Sequence, residues 1–341
     1  MQMTSMNQLV CEIPFDETAR QKLASLPGLK LQMLPLHERR WDMPDEWLLG
    51  TDILACKFPP GNLEKMTDLK FLQLATVGYE HLRDVGLATK PFPICNARGI
   101  FDTAIAEWNL AMMVNLTRDL RGMIRDQETG RWERAEHYQQ ELRGRVAGLW
   151  GYGGIGRETA RLAKAFGMGV HVMTRTGVKP RPDAYALPGT ADPEGVLPDR
   201  VFVTGQEGDF LAGLDFLILA LPRTRHSNGM IGEAQLQALP RTAFVLNPAR
   251  GPIIQEAALV RALHEGWIAG AALDTHFAYP LPAEHPLWGF PNVILTPHIA
   301  GADHSREFPG RFAGLLAENV SRFLGGQRLL NQITREEWDE V

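Results

Sequence analysis

Residues 145–157 read Arg145-Val-Ala-Gly-Leu-Trp-Gly-Tyr-Gly-Gly-Ile-Gly-Arg157. They continue through Glu158-Thr-Ala-Arg-Leu-Ala-Lys-Ala-Phe166 into Gly169-Val-His-Val-Met173. An apolar strand runs into glycines at 151, 153 and 156, a helical pattern follows, and a second apolar strand closes the unit. A G-x-G-x-x-G in this strand–turn–helix–strand setting is a dinucleotide-binding fingerprint. Gly151 permits the tight turn, Gly153 lets the backbone approach a pyrophosphate, and Gly156 lets helix and strand pack closely. Gly154 and Ile155 lie between them, where the positive end of the helix faces the phosphates.

The end of the second strand carries the choice of cofactor. An acidic residue about 20 positions past the glycines would hold a ribose 2′-hydroxyl and favour NAD. Here the strand ends Met173-Thr174-Arg175-Thr176, with Lys179 and Arg181 close behind. A carboxylate at 174 would repel a 2′-phosphate. A hydroxyl beside a guanidinium accepts one, because the planar fork of arginine bonds two oxygens at once. The reading is NADP, with NAD as the alternative.

At 341 residues the chain is long enough for two domains with buried cores. It is 45% hydrophobic and 22% charged with a net charge of −5, a balance that points to neither nucleic acid nor an acidic membrane. No apolar run approaches the ~20 residues of a membrane span, and Met1-Gln-Met-Thr-Ser-Met-Asn-Gln lacks a signal-peptide pattern. Cys11, Cys56 and Cys95 are too scattered for a disulfide framework or a metal site, and read as small buried hydrophobes in the reducing cytoplasm.

Residues 8–100 alternate short apolar runs (9–13, 52–56, 71–75, 92–95) with helical patterns near 16–26, 62–67 and 80–88. This predicts a parallel sheet covered by helices. From Thr103 to about Met123 the spacing predicts one long helix. Further strands are predicted at 215–220, 243–246, 268–272 and 292–295, with a helix from Gln255 to His264. The stretch 177–209, rich in Pro, Gly and Asp, reads for the most part as an inserted surface loop that orders on cofactor binding. The last apolar helix, about 306–324, is expected to pack back onto the first domain. The fold expected is α/β with two doubly wound parallel sheets. A discontinuous flavodoxin-like substrate domain takes 1–118 plus 306–341, and a Rossmann-type dinucleotide domain takes 119–305.

With these motifs stand Leu246-Asn-Pro-Ala-Arg-Gly251, Ala272-Leu-Asp274 and Leu295-Thr-Pro-His-Ile-Ala-Gly301. Together and in this order they resemble the D-isomer-specific 2-hydroxyacid dehydrogenase family over roughly residues 50–331. The resemblance implies reduction of 2-oxo acids to D-2-hydroxy acids with NAD(P)H, as in glyoxylate and hydroxypyruvate reductases, by a homodimer. Mapped by motif, Arg250 holds the substrate carboxylate and polarises its carbonyl, since hydride delivery leaves negative charge on that oxygen. His298 becomes the general acid and base. In Ala75-Thr-Val-Gly-Tyr79 the amides of Val77 and Gly78 bind the carboxylate. Leu221, Pro222, Pro248, Ala249, Ala300 and Gly301 align with cofactor-contacting positions, and Asp274 with the aspartate that meets the nicotinamide carboxamide.

One position departs from the family. The glutamate that pairs with the catalytic histidine is replaced by Tyr279 in Asp274-Thr-His-Phe-Ala-Tyr-Pro280. A phenol can orient the ring but cannot stabilise imidazolium as a carboxylate does, which implies a lower pKa for His298 than for its usual counterpart. Formate dehydrogenases of the superfamily place an asparagine where this chain has Phe101, and phosphite dehydrogenases place a lysine at Val77, so neither substrate is favoured. Phe101, Trp108 and Phe277 are candidates for a bulky substrate pocket. The competing reading is a regulatory protein of the same fold that binds nucleotide without turnover.

Overall fold

Short apolar runs buried on both faces build the first sheet, as a parallel sheet covered by helices requires. The computed structural model describes residues 6–340. In its first unit the strands are β1 (Asn7–Cys11), β2 (Leu29–Met33), β3 (Ile53–Cys56), β4 (Phe71–Leu74) and β5 (Ile94–Cys95). All are parallel, in the order β2-β1-β3-β4-β5 of flavodoxin-like folds. Helices α1 (Glu17–Ala24) and α2 (Asp45–Leu48) belong to it, as do α9 (Phe308–Leu324) and α10 (Arg335–Glu340) from the far end of the chain. The unit comprises the chain through Phe101, Asp183–Leu187, and Asp303 onward.

The last long helix does return to this unit, and a buried polar network holds it there. Asn319 of α9 donates its amide to Gln73 Oε1 of β4 at 2.8 Å and accepts the Leu330 N–H at 2.8 Å. Gln73 in turn donates to the Asn96 carbonyl at 3.1 Å. Phe323 stacks on Phe71 with ring centroids 5.8 Å apart. Two differences from the sequence reading are local. Strand β2 reads Leu-Lys-Leu-Gln-Met, an alternation too polar to stand out as a buried run. The helices predicted at 62–67 and 80–88 are short 3₁₀ turns (Leu63–Lys65, Glu80–Val85, Leu87–Thr89), because left-handed Gly86 at φ 70° interrupts the second before a full helix can propagate.

The second unit contains α3 (Asp102–Thr117), α4 (Leu120–Glu128), β6 (Val146–Trp150), α5 (Gly154–Ala165), β7 (Gly169–Thr174) and β8 (Arg200–Val203). Then come α6 (Glu207–Leu211), β9 (Phe216–Leu219), α7 (Glu233–Ala238), β10 (Phe244–Asn247), α8 (Glu256–His264), β11 (Gly270–Leu273) and β12 (Val293–Leu295). Its sheet is parallel in the order β12-β11-β10-β9-β6-β7-β8, the doubly wound Rossmann order with a seventh strand. The chain reverses direction across the sheet between β6 and β9, and ligands of such sheets bind at the carboxyl ends beside that switch.

Two sequence expectations change here. The helix predicted from 103 to 123 is two helices, broken where Asp119 (φ 43°) leaves the helix and caps Gly122 at 3.0 Å. α3 belongs to the second unit, so the boundary falls at 101/102 and not at 118/119. Leu110 and Met113 share a core with Ala160 and Ala163 of α5, and Asn109 donates to Thr159 Oγ1 at 3.0 Å. The stretch 177–209 is for the most part without helix or strand, as expected, and ends in sheet and helix. Residues 200–203 are sheet strand β8, paired with β7 from His171↔Arg200 to Thr174↔Val203. No helix among the described residues is long and apolar enough to cross a membrane.

In the first unit, Glu12 follows β1 fully buried. Its Oε1 accepts the Trp41 indole N–H at 2.9 Å, while Oε2 has no partner among the described residues. His37 stacks on Trp41 at 3.7 Å and places Nδ1 3.9 Å from Oε1. Burial pushes the Glu12 carboxyl up from 4.5 to about 7, against the lowering effect of the Trp41 bond. A folded-state pKa above the unfolded one means that the native state holds the proton longer. Stability therefore falls as pH rises from about 4.5 to about 7 and is flat above. Glu12→Gln should be more stable than wild type above pH ~7, by at most on the order of 3 kcal/mol, and lose that advantage toward pH ~4.5. Denaturation midpoints of both proteins across this range check it, and a gap independent of pH would refute the assignment.

Candidate active site

The glycine turn after β6 has the form its residues require. A Cβ on Gly151 (φ 104°) would collide with the Ala220 carbonyl, and one on Gly156 would lie 2.5 Å from the Gly151 carbonyl, the close helix–strand packing expected. A Cβ on Gly154 would strike the Asp102 carboxylate. Gly153 differs: it caps α5 without a side-chain bond, and the Arg181 guanidinium, 3.8 Å from where its Cβ would stand, is all that lies within 4 Å. Ile155 is half-buried in the first turn of α5. The turn thus offers an open backbone approach to a helix N-terminus, which fits a dinucleotide pyrophosphate. Thr174 ends β7 with its hydroxyl accepting the Gly177 N–H at 2.9 Å, and Arg175 and Thr176 are exposed beside it.

Three neighbouring strands of the same sheet carry the chemical groups at their carboxyl ends: Arg250 after β10, Asp274 after β11 and His298 after β12. Arg250 sits on a turn fixed by Asn247, whose amide donates to the Arg250 carbonyl at 2.9 Å and whose Oδ1 accepts the Ala249 N–H at 3.1 Å. Gly251 must be glycine, since a Cβ there would overlap the His276 carbonyl; this accounts for the Arg-Gly pair. Pro248 is buried and Ala249 half-buried in this turn.

His298 is exposed and adopts φ 59°, a left-handed conformation that costs a non-glycine residue on the order of 1 kcal/mol or more. Asp274 holds it there. The buried carboxylate accepts the Thr296 hydroxyl at 2.6 Å and the Ile299 N–H at 2.9 Å on Oδ1, and the Ala300 N–H at 3.0 Å on Oδ2. Of about four lone-pair sites on a carboxylate, three therefore serve the loop. Trp108 Nε1 donates to Thr296 Oγ1 at 3.2 Å, and His276 Nε2 bonds the Thr296 carbonyl at 2.8 Å. Trp108, a pocket candidate from sequence, is tied to this loop, and His276 had no role assigned from sequence; the threonine of the Thr-Pro-His motif was the available clue.

Tyr279 is 58% exposed, and its ring centroid lies 5.5 Å from that of His298, tilted by 50°. Its hydroxyl accepts the His276 backbone N–H at 3.2 Å. The phenol therefore flanks the histidine. His285 bonds Glu256 at 2.9 Å on the surface.

The remaining assignments divide between the units. Leu221 packs against the second unit's core, the Pro222 carbonyl accepts the Ser227 hydroxyl at 2.7 Å, and Gly301 is half-buried after Ala300. In the first unit Val77 and Gly78 follow β4 in a loop fixed by Asn96, which donates to the Val77 carbonyl at 3.0 Å. Phe101, expected to touch substrate, is buried with its ring stacked on Phe308 at 5.5 Å; packing accounts for it.

Residues 110–300 match the family model for the D-isomer specific 2-hydroxyacid dehydrogenase, NAD binding domain. A glyoxylate reductase of Thermofilum pendens is 32% identical over 319 residues, covering 88% of this chain and 89% of its own. Among solved structures, a family protein from Aeromonas salmonicida superposes with a TM-score of 0.80 at 27% identity, covering 97% of this chain and 100% of that one. A D-isomer specific 2-hydroxyacid dehydrogenase from Xanthobacter autotrophicus, solved with NADPH and MES, gives 0.77 at 26% identity over 98% and 100%. Alongside the glycine turn and the Arg250–Asp274–His298 edge, these similarities show that the chain belongs to the D-isomer specific 2-hydroxyacid dehydrogenase family and is an NAD(P)-dependent oxidoreductase.

Proposed function

We propose that the enzyme reduces a small 2-oxo acid of the glyoxylate or hydroxypyruvate type with NADPH. The observation that carries this is the placement of Arg250 and His298 on either side of Asp274, at the sheet edge that also bears the glycine turn. The names of the curated relatives, glyoxylate reductase among them, support the substrate class. Thr174 and Arg175 support NADPH, with NADH the alternative. When bound, the reduced nicotinamide supplies the hydride. Arg250 binds the substrate carboxylate and draws electron density onto the carbonyl oxygen, a preorganised cation where negative charge develops. His298 donates a proton to that oxygen and recovers it in the reverse direction. Val77 and Gly78 are proposed as amide donors to a substrate carboxylate. Tyr279 orients the imidazole without adding charge. In the same reading the enzyme is a cytoplasmic homodimer, and the free, buried thiols of Cys11, Cys56 and Cys95 fit a reducing compartment.

NADPH oxidation followed by absorbance against glyoxylate, hydroxypyruvate and aryl-pyruvates, with NADH in parallel, tests the reading. Turnover with NADPH well above NADH is expected, and binding of NADPH without turnover of any acid would contradict it. His298→Asn should lower kcat by about 10²–10⁴-fold, the range of a lost general acid, with cofactor affinity retained. Tyr279→Glu should move the alkaline limb of kcat/KM to higher pH, because a carboxylate stabilises imidazolium where a phenol does not. A profile unchanged by that substitution would separate Tyr279 from the proton relay. Asp274→Asn replaces an acceptor by a donor facing backbone N–H groups. It should lower the melting temperature and kcat together, each lost charged hydrogen bond being worth about 1.5–3 kcal/mol. Loss of neither would show that the 296–300 loop holds itself.

A further inference from the structure

The loop part of the insertion, residues 177–199, has no helix or strand, yet side chains of the glycine-turn helix fix it at several points. Arg157, buried in the first turn of α5, donates to the carbonyls of Lys179, Asp192, Pro193 and Tyr152 and lies over the Tyr152 ring at 4.8 Å. The Tyr152 hydroxyl donates to Asp192 Oδ2 at 2.6 Å. Asp192 also accepts the N–H groups of Gly195, Val196 and Leu197, each at 3.1 Å. Glu158, fully buried in the same helix, accepts the Ala191 N–H at 2.5 Å. These bonds tie the loop to the glycine turn and the first turn of α5.

This anchored segment carries Arg181 to the glycine turn. Its backbone N–H donates to the Pro193 carbonyl at 2.7 Å, which ties its position to the stretch gripped by Arg157. Its side chain is exposed and makes no hydrogen bond or ion pair with a described residue. Nη1 nevertheless stands 3.8 Å from the Cβ position of Gly153, at the start of α5. A cation there faces the positive end of the helix and sits near a second guanidinium. Arg157 is held below the usual arginine range, chiefly by burial and in part by Arg181. Such a cluster of positive groups is favourable only toward an anion. The Asp102 carboxylate lies against Gly154, so the open side is at Gly153.

We propose that Arg181 binds the pyrophosphate of the dinucleotide, adding a charge-assisted bond to the backbone amides of the glycine turn. The inference rests on the cofactor reading and extends it to a residue outside the fingerprint. It concerns the pyrophosphate, which NADH and NADPH share, and not the 2′-phosphate, which falls to Thr174 and Arg175. The insertion is then a strap whose work is to deliver one guanidinium.

The test is direct titration of the full chain with NADPH and with NADH, read by calorimetry or tryptophan fluorescence, for wild type, Arg181→Ala and Arg181→Lys. Removing one charge-assisted bond should weaken both nucleotides by about tenfold or more and by the same factor. Lysine should recover part of the loss, since it keeps the charge without the fork. Unchanged affinity would overturn the proposal. A loss confined to NADPH would also overturn it, by assigning Arg181 to the 2′-phosphate. If the alanine variant does not fold, Arg181→Gln keeps the length and hydrogen bonding and gives the same comparison. Wild type that binds neither nucleotide would sink the cofactor reading itself, and the proposal with it.

Discussion

The Asp274 carboxylate is the interaction on which the catalytic edge depends. Three donors from the segment after β12 converge on its two oxygens, and together they hold His298 in a left-handed backbone conformation that is costly for a non-glycine residue. A single buried charge can do this because hydrogen bonds to an ionised acceptor are about twice as strong as neutral ones. The acceptor itself directly follows β11, which is paired on both sides in the sheet. Trp108 and His276 add donors to Thr296, so the same residue is gripped at hydroxyl and carbonyl from α3 and from the segment after β11. An aspartate read from its motif as a cofactor ligand is thus, first, the residue that shapes the 296–300 loop.

What was legible in the sequence follows from whether a local rule or a distant partner decides the structure. The glycine turn, the strands that bear Arg250, Asp274 and His298, and the alternation of the first sheet are written in local patterns, because buried parallel strands and phosphate turns each demand particular residues in a row. Strand β8 was not visible within the insertion, since Arg200-Val-Phe-Val203 is short and its sheet position depends on pairing with β7. The break between α3 and α4 turns on one residue, Asp119, whose capping bond outweighs helical continuity. The assignment of α3 to the second unit depends on its packing against α5, which periodicity alone cannot indicate. Asp192 and Arg181 lie in a stretch without periodicity; their partners are 40 and 28 residues away, at Tyr152 and Gly153.

Tyr279 stands where the family resemblance implies a glutamate, and the surrounding geometry bears on whether it signals lost chemistry. A protein that only senses a nucleotide needs the glycine turn and the end of β7. It has no use for a strained histidine held by a buried carboxylate, nor for an arginine whose turn requires both Asn247 and a glycine that no other residue could replace. Strain at His298 costs stability and is maintained by the bonds on Asp274, an expense that nucleotide binding alone would not repay. The phenol of Tyr279 lies beside the imidazole, with its hydroxyl anchored on the His276 backbone. That is the geometry of a neutral orienting partner. Replacing a carboxylate by such a partner removes stabilisation from imidazolium and leaves the proton path in place. On the proposed reading the consequence is a change in the pH at which the site works best, with the hydride chemistry retained.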